Sequence, residues 1–329
     1  MSLRINHTSI RPNKIKVGLT IGDPSGIGPA IALKAIQRLK GLAEFVVIGD
    51  SWVLNQAKGY KLEAANFELI DLNNINQARF KFGKISAEYG RASIEYLDKA
   101  LELIKHKQID CLVTCPISKE SLSKAGYKYS GHTEYLAQRT NSKNIAMLLL
   151  NRYLKISLIT RHIPLMKVAG QLNKGVIISN IILTNQALKN FFHIGYPRLV
   201  ICGLNPHASD NGVIGREENE IIKPALKTLK NKFKLDISGP ISSDVAIYQA
   251  KKQKYDCIIA IYHDQALIPL KLTGIDSGVN MTLGLPFIRT SPLHGTAFDI
   301  AGIPKIADPS SLIAAIELTV KCASNLKKD

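Results

Sequence analysis

Short apolar runs alternate with longer amphipathic stretches from residue 15 almost to residue 324, and no other feature of this chain limits its fold as tightly. Runs this short suit strands covered on both faces, and the stretches between them are long enough to be crossover helices, so the chain reads as α/β with a parallel sheet. Strands are expected at Ile15 to Ile21, Phe45 to Ile48, Cys111 to Cys115, Ile145 to Leu150, Ile156 to Thr160, Leu199 to Cys202 and Cys257 to Tyr262. Helices are expected at Gly28 to Leu39, Ala87 to Lys105, Ser118 to Ala125, Glu134 to Thr140, Asn219 to Lys232, Val245 to Lys252 and Ser310 to Ser324. No repeat or linker-like segment divides the 329 residues, so any two subdomains must share the chain closely.

Composition excludes several classes. With 46% hydrophobic and 21% charged residues the chain has material for a substantial core. Its longest apolar runs, such as Ile145 to Leu150, fall far short of the roughly 20 residues of a membrane helix. The N-terminal segment carries basic residues with no apolar stretch behind them, so a cytoplasmic protein without a membrane partner is expected. Five cysteines, at 111, 115, 202, 257 and 322, sit mostly in strand-like segments and read as small core residues; the C-x3-C pair Cys111 and Cys115 is a weak zinc signal. A net charge of +17 raises the question of nucleic acid. Only eleven of the 43 basic residues are arginine, and the lysines are scattered, so a solvated surface is the favoured reading and nucleic acid is not expected as a partner. Such a field can still raise the encounter rate of an anionic small molecule.

Polar residues cluster where strands end, and ligands of open α/β sheets bind at such ends. GDPSGIGP follows the first strand, CPISKE the run Leu112 to Thr114, RHIP the run Ile156 to Thr160, GLNPHASDNG the run Leu199 to Cys202, and YHDQ the run Ile258 to Ile261. Five strand ends aimed at one cleft are expected to form an active site. Three of the eight histidines, His162, His207 and His263, directly follow strands and lie 45 and 56 residues apart, so they can meet only in three dimensions. Three imidazoles suit a divalent transition metal with open positions, although each alone is more often an ordinary polar residue at a strand end than a ligand. The loop GDPSGIGP either offers backbone N–H groups to an anion or is a tight structural turn; it matches neither the dinucleotide fingerprint nor a P-loop. In GHTEYLAQ, Thr133 is placed to cap a helix, which leaves His132 unexplained. The densest polar stretch, residues 262 to 302, sets Lys271, Asn280, Arg289 and His294 among glycines and prolines, a composition suited to gripping phosphate or carboxylate.

With these segments in hand the chain closely resembles the 4-hydroxythreonine-4-phosphate dehydrogenase family of pyridoxine biosynthesis. The resemblance rests on GDPSGIGP (22–29), TCPISKESLSKAGYKYSGHTE (114–134), CGLNPHASDNGVIGREE (202–218), YHDQALIPLK (262–271) and GVNMTLGLPFIRTSPLHGTAFDIAG (278–302). It implies an isocitrate/isopropylmalate dehydrogenase-like fold with two α/β subdomains around a central cleft. Residues 14–135 plus 285–329 would form the dinucleotide side and 136–284 the metal and dimer side, with 1–13 a disordered extension. It also implies NAD or NADP as cofactor and one divalent metal, zinc, magnesium or cobalt, on His162, His207 and His263. Substrate contacts carry over onto His132, Thr133, Lys271, Asn280 and Arg289. The dinucleotide loop carries over onto His294, Gly295, Thr296, Ala297 and Asp299. A homodimer with an active site shared between subunits follows from the same resemblance. Two departures stand out: ASDNG after His207, and IPKIADP after DIAG, which leaves the choice between NAD and NADP open.

The implied reaction is oxidation of the secondary alcohol of 4-phosphooxy-L-threonine, giving a β-keto acid that decarboxylates to 3-amino-2-oxopropyl phosphate. Asp264 and Asp244 are candidates for the base or for orienting a ligand, and Lys119 is a third candidate base. A paralogous activity on 4-phospho-threonate or erythronate is the alternative within the class. A phosphate acyltransferase, which would need coenzyme A, is a further rival.

Overall fold

A computed structural model describes residues 14–57, 67–129 and 131–327, so the expected N-terminal extension lies outside the described residues. The strands are β1 Lys16–Thr20, β2 Glu44–Gly49, β3 Glu68–Asp71, β4 Cys111–Thr114, β5 Ala146–Leu150 and β6 Lys155–Leu158. They continue with β7 Leu199–Cys202, β8 Ile237–Ile241, β9 Cys257–Ala260, β10 Val279–Leu283 and β11 Arg289–Pro292. The helices are α1 Gly28–Arg38, α2 Ser51–Gln56, α3 Ala87–Lys105, α4 Lys119–Lys124, α5 His132–Arg139 and α6 Val168–Gln171. After them come α7 Lys174–Asn190, α8 Lys223–Phe233, α9 Ser243–Lys251, α10 His263–Gly274 and α11 Ser310–Leu326.

All these strands join one sheet in the order β3-β2-β1-β4-β11-β10-β5-β6-β9-β7-β8. The expected class is found, but the sheet is mixed where a parallel one was expected. Pairs β10·β11, β10·β5 and β5·β6 are antiparallel, and the remaining pairs are parallel. Three reversals at the centre make β6, β9, β7 and β8 run opposite to β3, β2, β1, β4 and β11. The ends of β1 and β4 therefore point away from the ends of β6, β7 and β9, and the five expected strand ends do not form one row.

Burial explains the apolar runs. Val17, Leu19, Leu112, Val113, Ile201 and Ile259 are wholly buried, as strands covered on both faces require. In the half formed by β5, β6, β9 and β7 the alternation separates two cores. Leu148, Leu150, Leu199, Ile201 and Ile259 join the large core with Ile177 and Leu188 of α7 and Leu229 of α8. Met147, Leu149, Ile156, Leu158, Val200 and Ile258 pack instead with Ala246 of α9 and Ala266 and Leu270 of α10. Side-chain caps start several helices: Ser86 accepts from Tyr89 N before α3, Ser118 from Ser121 N before α4, and Asn173 from Val176 N before α7.

Candidate active site

The central strands carry the site on one face. Register places Arg289 of β11 opposite Leu112 of β4 and Thr282 of β10, while Asn280 faces Ser291 and Met147 faces Thr282. Paired residues and their i±2 neighbours share a face, so Thr114, Arg289, Ser291, Asn280, Thr282 and Met147 all point the same way. Over them lies a cleft of about 160 Å³ whose walls include Lys119, His132, Thr133, Glu134, His162 and His294. Substrate candidates His132, Thr133, Asn280 and Arg289 thus meet in one cavity with His162, Lys119, His294 and Gly295.

Arg289 is only 1% exposed. Its Nη1 donates to Thr282 Oγ1 at 3.1 Å and its Nη2 to Thr114 Oγ1 at 2.6 Å, while Nε has no partner. Burial pulls its pKa down, opposed by the charge of Glu134. A guanidinium held only by hydroxyls is under-compensated, and a ligand phosphate or carboxylate relieves that. His132 begins α5; burial, and then Arg289, hold its pKa well below the ordinary histidine value, so the ring is neutral. His132 Nε2 and Asn280 Oδ1 are both sealed from solvent without a partner. Thr133 does not cap the helix: the capping position is Gly131, and the Thr133 hydroxyl lies 3.5 Å from Thr282 Oγ1.

The three strand-end histidines follow β6, β9 and β7, which are neighbours in the sheet. The rings of His162 and His263 are 5.7 Å apart between centroids. Burial, followed by Lys119 and His263, lowers the His162 pKa and favours its neutral, metal-binding form. His263 Nδ1 lies 2.7 Å from Asp264 Oδ1, a carboxylate contact that orients the ring and leaves Nε2 free. These donors suit a divalent metal, yet among the described residues no three His, Cys, Asp or Glu side chains of one protomer are close enough to hold an ion. His207 stands apart and exposed, in a turn where five consecutive residues from His207 to Asn211 have left-handed φ between 42° and 71°. Such conformations cost on the order of 1–2 kcal/mol per residue and are typical of functional segments. Asp244, at the start of α9, is exposed, and its pKa is lowered chiefly by the hydrogen bond from Ser242, with His207 the smallest contributor.

Other candidates fall outside the cleft. Lys271 is exposed on α10, and Asp299 is exposed beyond the 294–297 loop; neither lines the cavity. Thr296 contributes its carbonyl to Ile27 N at 3.0 Å, and Ala297 adopts φ 45°. Of the two readings of GDPSGIGP the structural turn is favoured, because four of its N–H groups are already bonded within the protein. Asp23 N donates to Pro116 O, Ser25 N to Asp23 Oδ1, Gly26 N to Asp23 O and Ile27 N to Thr296 O. Glu134 was not singled out from the sequence although it stands next to Thr133; it lines the cleft and a neighbouring 410 Å³ cavity that it shares with His162 and Arg161.

The model of the family described as pyridoxal phosphate biosynthetic protein PdxA matches residues 41–319. The chain belongs to the PdxA family. Among relatives, it is 45% identical over 320 residues to a 4-hydroxythreonine-4-phosphate dehydrogenase of Sulfurihydrogenibium, covering 93% of this chain and 98% of that one. It is also 39% identical to a D-threonate 4-phosphate dehydrogenase of Salmonella typhimurium, over 93% and 98% of the two chains. The solved 4-hydroxythreonine-4-phosphate dehydrogenase of Klebsiella pneumoniae superposes with a TM-score of 0.83 at 34% identity, covering 94% and 100%. An isocitrate dehydrogenase of Methylococcus capsulatus shares the fold at a TM-score of 0.51 and 13% identity, over 95% of this chain and 87% of that one. PdxA membership therefore spans nearly the whole chain, including every segment that lines the cleft.

Proposed function

We propose that this chain is a nicotinamide- and metal-dependent dehydrogenase that oxidises 4-phosphooxy-L-threonine in the formation of pyridoxal 5'-phosphate. The observation that carries the reading is the buried, hydroxyl-held Arg289 at the floor of a cleft with unpartnered polar atoms of His132 and Asn280. Arg289 binds the anionic end of the substrate, while Asn280, His132 and Thr133 orient it. His162, His263 and His207 would hold a divalent cation, which supplies Lewis acidity to a bound alcohol. A bound nicotinamide would supply a hydride acceptor for the carbinol carbon, and the hydroxyl proton needs a base; Lys119 lines the cleft, and Asp264 and Asp244 flank the histidines. The resulting β-keto acid loses carbon dioxide to give 3-amino-2-oxopropyl phosphate. His294, Gly295, Thr296, Ala297 and Asp299 form the dinucleotide loop in this reading.

The working unit in this reading is a cytoplasmic homodimer whose site is completed across its interface. Incomplete metal coordination within one protomer supports it, as does apolar surface around the histidines. Met166, four residues after His162, is 97% exposed, and Leu272, beside Lys271, is 82% exposed. A partner protomer covering these residues would bring Lys271 and His207 to the facing cleft. Residues 14–135 with 285–329, and 136–284, are the two proposed subdomains; each group's strands are contiguous in the sheet, although residue 135 falls inside α5. No described helix is long and apolar enough to cross a membrane.

The test is NAD(P)H formation from 4-phosphooxy-L-threonine before and after chelation, with 4-phospho-D-threonate and 4-phospho-D-erythronate alongside. Metal-dependent turnover of the amino acid is expected. Turnover of the sugar acids alone would move the chain to the activity named for its Salmonella relative.

A further inference from the structure

The bonds that GDPSGIGP makes to other segments of the chain point to its position as its contribution. It touches both walls of the cleft. On one side Asp23 N donates to Pro116 O at 2.9 Å, and Pro116 and Ile117 line the cavity. A Cβ on Gly22, whose φ is 74°, would fall 2.2 Å from that same carbonyl, so only glycine permits the approach. On the other side Ile27 N donates to Thr296 O at 3.0 Å, directly after the lining residues His294 and Gly295. A Cβ on Gly26 would sit 3.0 Å from Thr296 O and 3.1 Å from Thr296 Cβ. Between these contacts the loop is rigid. The fully buried Asp23 accepts from Ser25 N at 3.0 Å, and Ser25 Oγ lies 2.8 Å from Asp23 Oδ1 and donates to Lys84 O at 2.7 Å. Gly83 N in turn donates to Ser25 O at 2.8 Å.

We infer that residues 22–29 are a strut that sets the 294–297 loop against the Pro116–Ile117 wall, with Gly26 and Ser25 as positioning residues for the dinucleotide. The inference rests on the reading of 294–299 as the dinucleotide loop. Gly26 bears on Thr296 and not on Arg289, Asn280 or His132, so disturbing it moves one ligand's contacts and spares the other's. The backbone oxygen it would press on is fixed by Ile27, so the added methyl must shift the loop and not merely rotate a side chain.

The experiment compares the wild-type protein with Gly26→Ala and Ser25→Ala, measuring NADH affinity by its fluorescence and the two Michaelis constants separately. Gly26→Ala is expected to weaken NADH at least tenfold while the Michaelis constant for the phosphorylated substrate stays within twofold. Ser25→Ala, which removes the tie to Lys84, is expected to do the same more mildly, and it carries the test should Gly26→Ala fail to fold. Unchanged NADH affinity in a folded variant overturns the strut. So does a fall in turnover with both Michaelis constants unaltered, which is what a smaller folded fraction produces. Failure of the wild-type protein to bind NADH or NADPH would instead remove the loop assignment on which the inference stands.

Discussion

Arg289 Nη2 donates to Thr114 Oγ1 at 2.6 Å across the junction of β11 and β4, so the charge at the floor of the cleft is held by a hydroxyl where a carboxylate would be the usual partner. That charge is costly in the ligand-free protein and most valuable with an anion bound. Arg289→Met should therefore leave the melting temperature unchanged or raise it, while the Michaelis constant for the phosphorylated substrate rises about 10- to 100-fold, as expected for losing roughly 1.5–3 kcal/mol of charged hydrogen bonding. A variant that loses stability and keeps its substrate affinity would show Arg289 to be structural.

His207→Ala should lose bound metal, measured by elemental analysis, and turnover, while keeping its circular dichroism. If His207 serves the facing subunit, refolding a mixture of His207→Ala and His162→Ala chains should restore partial activity, since a mixed dimer holds one intact site. Full activity of His207→Ala alone would exclude it from the metal set.

Burial holds the His132 pKa below the ordinary value of about 6.5, so between the two values the unfolded chain binds a proton that the folded chain does not. This contribution to stability is complete above pH 6.5 and is lost as pH falls below it. The melting temperature of the wild-type protein should drop from pH 7 to pH 5, and that drop should be smaller in His132→Gln. An equal drop in both would mean that His132 titrates normally in the fold.

All five cysteines are free and buried. Burial pushes the thiols of Cys202, Cys257 and Cys322 up to about 12 and raises those of Cys111 and Cys115 as well. Thiolate is scarce at pH 8, so a thiol reagent such as iodoacetamide should label none of them until the chain unfolds. Rapid labelling of one cysteine in the native protein would locate a local opening.

Periodicity made seven of the eleven strands legible; it missed the edge strands β3 and β8, and it missed β10 and β11 at the centre for identifiable reasons. Strands β10 and β11 read VNMTL and RTSP, where polar residues serve the cleft and hide the apolar pattern. Helix α10 contains Pro269, which argues against a helix in sequence alone, and α7 carries VIIS and IIL runs that blur helix with strand. Missing β10 concealed the antiparallel seam, and with it the reason the five strand ends do not form one row. Among the site residues, His132, Asn280, Arg289 and His294 were visible as polar groups in unusual company. Their partners were not: nothing in the spacing says that Thr114 and Thr282 hold a guanidinium some 175 residues from the first of them. Glu134 needed only the observation that the next residue after Thr133, on the same first helical turn, faces the same cavity.

The order of strands also has a temporal meaning. Strand β4 finds its second neighbour only in β11, and β5 finds one of its two only in β10. During synthesis, at about 5–20 residues per second, the first four strands have left the ribosome long before either partner exists. The seam between the halves stays open until Arg289 to Pro292 has emerged, so the floor of the cleft is the last part of the sheet to be laid, and a chain stopped before it would carry both apolar halves with their inner edges bare.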